Sequence, residues 1–144
     1  MKSLVFIAAA LVVDVLARSR PWRALLVTLA FTLTSWSTSL LKDAVGRERP
    51  SGDNLVDLPA SKSFPSGHAS TAFAAAVALS LLAPRMAWWA LPLAAAVTYS
   101  RVYLGVHYWT DILAGAVLGT VVAVVVVRGA LNVAARRRAA SGGA

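Results

Sequence analysis

Four stretches of this chain, Ala24–Leu41, Ala69–Ala83, Met86–Tyr99 and Ile112–Val127, contain no Asp, Glu, Lys or Arg at all. Where water is excluded, the backbone N–H and C=O groups of such stretches must find partners within the segment, and a helix supplies them. A helix that crosses the hydrocarbon needs about 20 residues. Only the first stretch approaches that length by itself. The others reach it by drawing in their polar flanks, which sets those flanks at membrane depth or at the interface. The expectation is an all-α, polytopic membrane bundle of about five helices, with Leu4–Ala17 as a short fifth.

Composition agrees. Charged residues make up 14% and hydrophobic residues 58% of the 144, with a mean hydropathy of +0.69, whereas a soluble domain carries about a quarter charged residues. The formal net charge is +8, but the bases punctuate apolar runs instead of clustering on a polar face, so nucleic acid is excluded as a partner. The bilayer and an anionic substrate account for the charge better. There is no cysteine, which removes disulfides, thiolate chemistry and a Cys-based zinc site. Two histidines and six scattered acids, without HExxH, give no resident metal site.

One domain over residues 1–138 fits the length, followed by a flexible tail at 139–144. Leu4–Ala17 is interrupted by Asp14 and preceded by Lys2; it resembles a signal peptide, and a retained short helix is the preferred reading. Alternating helices place Arg18, Arg20, Arg23, Arg85, Arg128 and Arg136–Arg138 on one side, the cytoplasmic one by the positive-inside rule. Lys2, Lys42, Arg47, Arg49, Lys62 and Arg101 fall on the other side, together with the polar loop Asp43–Pro65.

Three short polar patches end these apolar segments, and all three suit one phosphate. Pro65-Ser66-Gly67-His68 opens an alanine-rich helix, where unpaired N–H groups point outward and bind anions. Lys42 closes a spanning segment, and Arg49-Pro50 follows seven residues later. Arg101 sits between two apolar runs, where a cation costs about 2.5–3.5 kcal/mol at helix centre and less near the interface; a phosphate paired with Lys42, Arg49 and Arg101 offsets that cost. His107 and Asp111 are four apart, so on a helix they share a face, and the carboxylate fixes the imidazole tautomer. Each patch alone has an ordinary explanation as a cap, a snorkelling cation or an interfacial histidine. Their conjunction on one membrane face does not.

The three patches read K-x6-RP, PSGH and SR-x5-H-x3-D without substitution, and in this the chain resembles the type 2 phosphatidic acid phosphatase (PAP2) superfamily, which includes vanadium haloperoxidases and glucose-6-phosphatase. The resemblance runs from Lys42 to Asp111 by motif and through the flanking helices by arrangement. It implies that His107 is the nucleophile, oriented by Asp111, and forms a phosphohistidine. His68 would protonate the leaving oxygen and later activate water. Lys42, Arg49, Ser66, Gly67 and Arg101 would hold the phosphoryl oxygens, with no metal and no cofactor. Bacterial relatives usually have six spanning helices, so the front of this bundle is reduced.

The expected activity is therefore that of an integral membrane lipid phosphatase, in a bacterial plasma membrane with its site on the extracytoplasmic side. Candidate substrates are polyprenyl diphosphate, a polyprenyl-phosphoryl sugar phosphate, phosphatidic acid and phosphatidylglycerol phosphate. The alternatives are a lipid phosphotransferase using the same phosphohistidine, a vanadate-dependent haloperoxidase, and a non-catalytic lipid-binding protein. Oligomeric state is not readable.

Overall fold

The computed structural model describes residues 21–52 and 55–141, so the expected helix at Leu4–Ala17 lies outside the described residues. Each of the four uncharged stretches forms a helix: α1 over Pro21–Val45, α2 over Gly67–Leu82, α3 over Ala87–Tyr103 and α4 over Trp109–Ser141. Among the described residues the architecture is all-α, with a 3-10 turn at Pro84–Met86 between α2 and α3. Two helices, α1 and α4, are long and apolar enough to cross a membrane.

Two boundaries have local causes. Helix α1 stops because Gly46 takes φ +64 and donates its N–H back to the Lys42 carbonyl at 2.9 Å, the left-handed closure that glycine provides without a Cβ penalty. The tail expected from residue 139 is corrected for its first three residues. Helix α4 runs through Ser141, because Ala139 and Ala140 are strong helix formers and nothing before them breaks the pattern.

Side-chain size is sorted opposite to a soluble bundle. On α4 the inward positions are Asp111, Ile112, Gly115, Gly119, Ala123 and Val127, while Leu113, Val117, Val121 and Val125 are exposed at four-residue spacing. On α1 the buried positions are Ala24, Val27, Ala30, Thr34 and Thr38, and Leu25, Leu29, Leu33, Trp36 and Leu40 face outward. Small residues inside and large apolar ones outside suit lipid as the solvent, since helices then associate by close approach and not by hiding hydrocarbon from water.

Helix α2 is the shared neighbour, packed against α1, α3 and α4, with α4 its most extensive contact. That seam is backbone against backbone. A Cβ on Gly119 would lie 2.0 Å from the Ser70 carbonyl oxygen, and one on Gly115 would lie 2.6 Å from that of Ser66. The Gly115-x3-Gly119 pair thus sets the approach of α4 to α2. At one end of the bundle Ala24, Val27, Ala30, Ala78, Leu79, Leu82, Ala123 and Val127 form an apolar core. The opposite end, where α1 finishes and α2 and α4 begin, carries the polar patches.

Candidate active site

The site is built where three helix ends meet a loop. Lys42 lies in the last turn of α1, Gly67 and His68 open α2, Arg101 lies in the last turn of α3, and His107 sits in the turn just before α4. A cavity of about 390 Å³ is lined by Lys42, Arg49, Gly67, His68, Arg101 and His107, and it continues along α1. Six of the eight residues singled out in the sequence therefore face one space. Ser66 and Asp111, both fully buried, stand behind its wall. The Ser66 N–H donates to the Asp111 carbonyl at 3.0 Å, tying the start of α2 to the start of α4, and its hydroxyl has no hydrogen-bond partner.

The His107–Asp111 relation differs in origin from the shared helical face expected. His107 precedes α4, whereas Asp111 occupies its first turn and accepts from the Tyr108 N–H at 3.0 Å. This is the returning half of a capping box, in which an acid in the first turn satisfies the N–H of the cap residue. The same carboxylate oxygen lies 3.4 Å from His107 Nδ1.

Two residues that the motifs leave unassigned hold that carboxylate. Arg47 Nη1 donates to Asp111 Oδ1 at 2.9 Å and to Thr110 Oγ1 at 2.7 Å, and its guanidinium lies over the Tyr108 ring at 4.6 Å. The buried Ser63 hydroxyl donates to Asp111 Oδ2 and lies 3.4 Å from His107 Nδ1. Neither residue had a signal in the motifs, because the place of each depends on the loop's path.

Arg49 is fixed mainly by main-chain oxygens. Its Nε donates to the carbonyls of Pro59 at 3.1 Å and Ser61 at 2.8 Å, and its Nη1 to that of Val106 at 2.8 Å. Nη1 is also 3.3 Å from His107 Nε2. A guanidinium only donates, so this contact leaves the lone pair on Nε2 and the proton on Nδ1, toward Asp111 and Ser63. Burial, then the charge of Arg49, push the His107 pKa down from 6.5 to about 4. His107 is therefore a neutral imidazole near neutral pH, with its unprotonated nitrogen at the cavity. Lys42 Nζ donates to the Lys62 carbonyl and is 3.4 Å from that of Ser63. Among the described residues no three His, Asp or Glu side chains gather as a metal-ligand set.

Residues 20–134 match the PAP2 superfamily. The chain belongs to that superfamily. This PAP2 chain superposes on the crystal structure of a transmembrane PAP2-type phosphatidylglycerolphosphate phosphatase from Bacillus subtilis with a TM-score of 0.75 and 31% identity, over 88% of this chain and 68% of that one. It is 41% identical over 92 residues to a decaprenylphosphoryl-5-phosphoribose phosphatase of Mycobacterium tuberculosis, covering 60% of this chain and 50% of the relative. It is 43% identical over 67 residues to an undecaprenyl-diphosphatase of Sulfolobus acidocaldarius, covering 46% and 32%. The PAP2 chain thus spans half or less of the length of these two curated relatives.

Proposed function

We propose that this chain is an integral membrane lipid phosphatase that removes a phosphate or diphosphate from a lipid through a phosphohistidine on His107. The observation that carries the reading is the common cavity: His68 and His107 face one space with Lys42, Arg49 and Arg101. In the first step His107 Nε2 attacks phosphorus, the bond from phosphorus to the lipid oxygen breaks, and His68 gives its proton to that oxygen. In the second step His68 takes a proton from water, the water oxygen attacks phosphorus, the P–N bond breaks and phosphate leaves. Lys42, Arg49, Arg101 and the N–H groups at Gly67 stabilise the charge that develops on the phosphoryl oxygens. Ser66 supports this cradle from behind, and Asp111, held by Arg47 and Ser63, keeps the proton on His107 Nδ1. The route uses no metal or cofactor.

The bundle sits in a bacterial plasma membrane. Arg23, Arg85, Arg128 and Arg136–Arg138 mark its cytoplasmic end and the cavity opens on the extracytoplasmic side. Relatives named for polyprenyl-linked substrates and for phosphatidylglycerolphosphate support a lipid phosphate as the substrate class. The test is phosphate release from lipid phosphates in detergent, comparing wild type with His107→Ala. The variant should lose at least about 10^4-fold in kcat, and alkaline denaturation during turnover should trap radiolabelled phosphate on the wild-type chain alone. Turnover retained by His107→Ala would remove the nucleophile assignment.

A further inference from the structure

The loop between α1 and α2 carries three apolar side chains that the described protein leaves uncovered. Leu55, Val56 and Leu58 are 61, 38 and 43% exposed, with only Asp57 between them. A single exposed apolar residue needs no explanation, but a contiguous group marks a surface that meets something apolar.

The loop's position indicates what that is. The Leu55 N–H donates to the Leu104 carbonyl at 3.3 Å, and Leu104 caps the end of α3. Arg85 and Trp88, near the other end of α3, mark the inner interface as basic and aromatic residues do. From Trp88 to Leu104 is about 24 Å at 1.5 Å per residue, less than the roughly 30 Å of hydrocarbon in a bilayer. Leu55 is therefore tied to the bundle at the depth of the outer hydrocarbon boundary, not above it in water. Tyr103, Tyr108 and Trp109 are exposed around the same end, and such amphipathic aromatics favour that boundary. A soluble partner would have to reach below the headgroups to cover the patch, whereas lipid is already there.

Immediately after Leu58 the same loop begins to aim the cations. The carbonyls of Pro59 and Ser61 hold Arg49, and those of Lys62 and Ser63 hold Lys42. Holding residues 55–58 fixes where that run of carbonyls starts, and removes conformational freedom that would otherwise blur their aim.

We propose that Leu55, Val56 and Leu58 insert into the outer leaflet at its hydrocarbon boundary and so seat the loop whose peptide oxygens aim Arg49 and Lys42. The partner is the lipid surface itself, with no headgroup charge required, and Asp57 stays among the headgroups. Insertion rests on the membrane placement above; only the consequence for turnover rests on the phosphatase reading.

The chain has no cysteine, so Leu55→Cys and Leu58→Cys each accept a single bimane label. In phosphatidylcholine vesicles both labels should lose fluorescence to lipids brominated on the upper acyl chain. A label at Glu48→Cys, where the native carboxylate is exposed and paired with Lys62, should not. Full fluorescence at 55 and 58 would overturn the insertion. So would labels shielded from water that brominated lipid fails to quench, which would put protein on the patch. Phosphate release from phosphatidylglycerol phosphate in the same vesicles reads the consequence. Leu55→Ser/Leu58→Ser should lower kcat/KM about tenfold, since burying one leucine contributes at least that factor, and Leu55→Phe/Leu58→Phe should retain it. The melting temperature should stay unchanged, because neither side chain is covered by protein. Wild-type turnover by the serine variant, or a melting temperature that falls with its turnover, would overturn the link to the cations. No release by wild type would count against the phosphatase reading and leave the insertion to the labels.

Discussion

The two sides of α2 are built on opposite terms. Toward α4, glycine meets main chain with no room for a methyl group; toward α1 and α3, the same helix borders a cavity of about 390 Å³. The tight side fixes the backbone that the chemistry uses, through Ser66 N–H to the Asp111 carbonyl at 3.0 Å. The open side leaves space for a substrate. Precision and access are thus divided between two faces of one sixteen-residue helix.

That division can be broken at its tight side with the largest effect. Gly119→Ala places a methyl 2.0 Å from the Ser70 oxygen and 2.9 Å from Ala74 N, all backbone atoms. It should cost about 1–3 kcal/mol or more by overpacking, read as a lower melting temperature in detergent, and should lower kcat as α2 and α4 part. Wild-type stability would refute the seam. Gly129 lies on the same helix with nothing within 4 Å of an added Cβ, so Gly129→Ala should be neutral or stabilise by up to about 1 kcal/mol.

Behind the cavity wall the sharper probe is Arg47. Removing it leaves the fully buried Asp111 carboxylate without its cation, and kcat should fall about 10- to 100-fold with KM little changed. Arg47→Lys should recover only part, because an ammonium lacks the guanidinium's fork and its stacking on Tyr108. The pH profile gives a second readout. His107 must be neutral to attack and its pKa is held near 4, so activity in wild type should be lost as pH falls through about 4. Without Arg47 the unpaired carboxylate favours the imidazolium, so the acid limb should shift upward, while burial and Arg49 still hold it below 6.5. An unmoved limb would reduce Arg47 to a loop tether.

The smallest effect belongs to Glu48, which pairs with Lys62 on the exposed loop. Lys62 holds its own carboxylate partner below the usual carboxylate range, yet solvent screens such pairs. Glu48→Gln should leave melting temperature and turnover unchanged, and a clear loss would show that the outer loop matters more than its exposure suggests.

Much of this was readable from the chain. Lys42, Gly67, His68 and Arg101 converge because each sits at a helix end, and helix ends on one face of a bundle must meet; Arg49 and His107 join them from the adjoining loop and turn. The four helices follow from the uncharged stretches, although α4 extends beyond Val127 because helix propensity continues where hydropathy stops. Arg47 and Ser63 escaped the motif reading for a different reason. They act on Asp111 from a loop without periodicity, and only its folded path brings residues 47, 63 and 111 together.

The way Arg49 is held has a consequence for variation. Its guanidinium is aimed by the peptide oxygens of Pro59, Ser61 and Val106, and Lys42 by those of Lys62 and Ser63. Every residue type carries such an oxygen. Apart from Ser61, whose hydroxyl also accepts from Arg49 at 3.1 Å, and Ser63, which holds Asp111, side chains along this stretch can therefore be exchanged to reshape the entrance while the cations keep their aim.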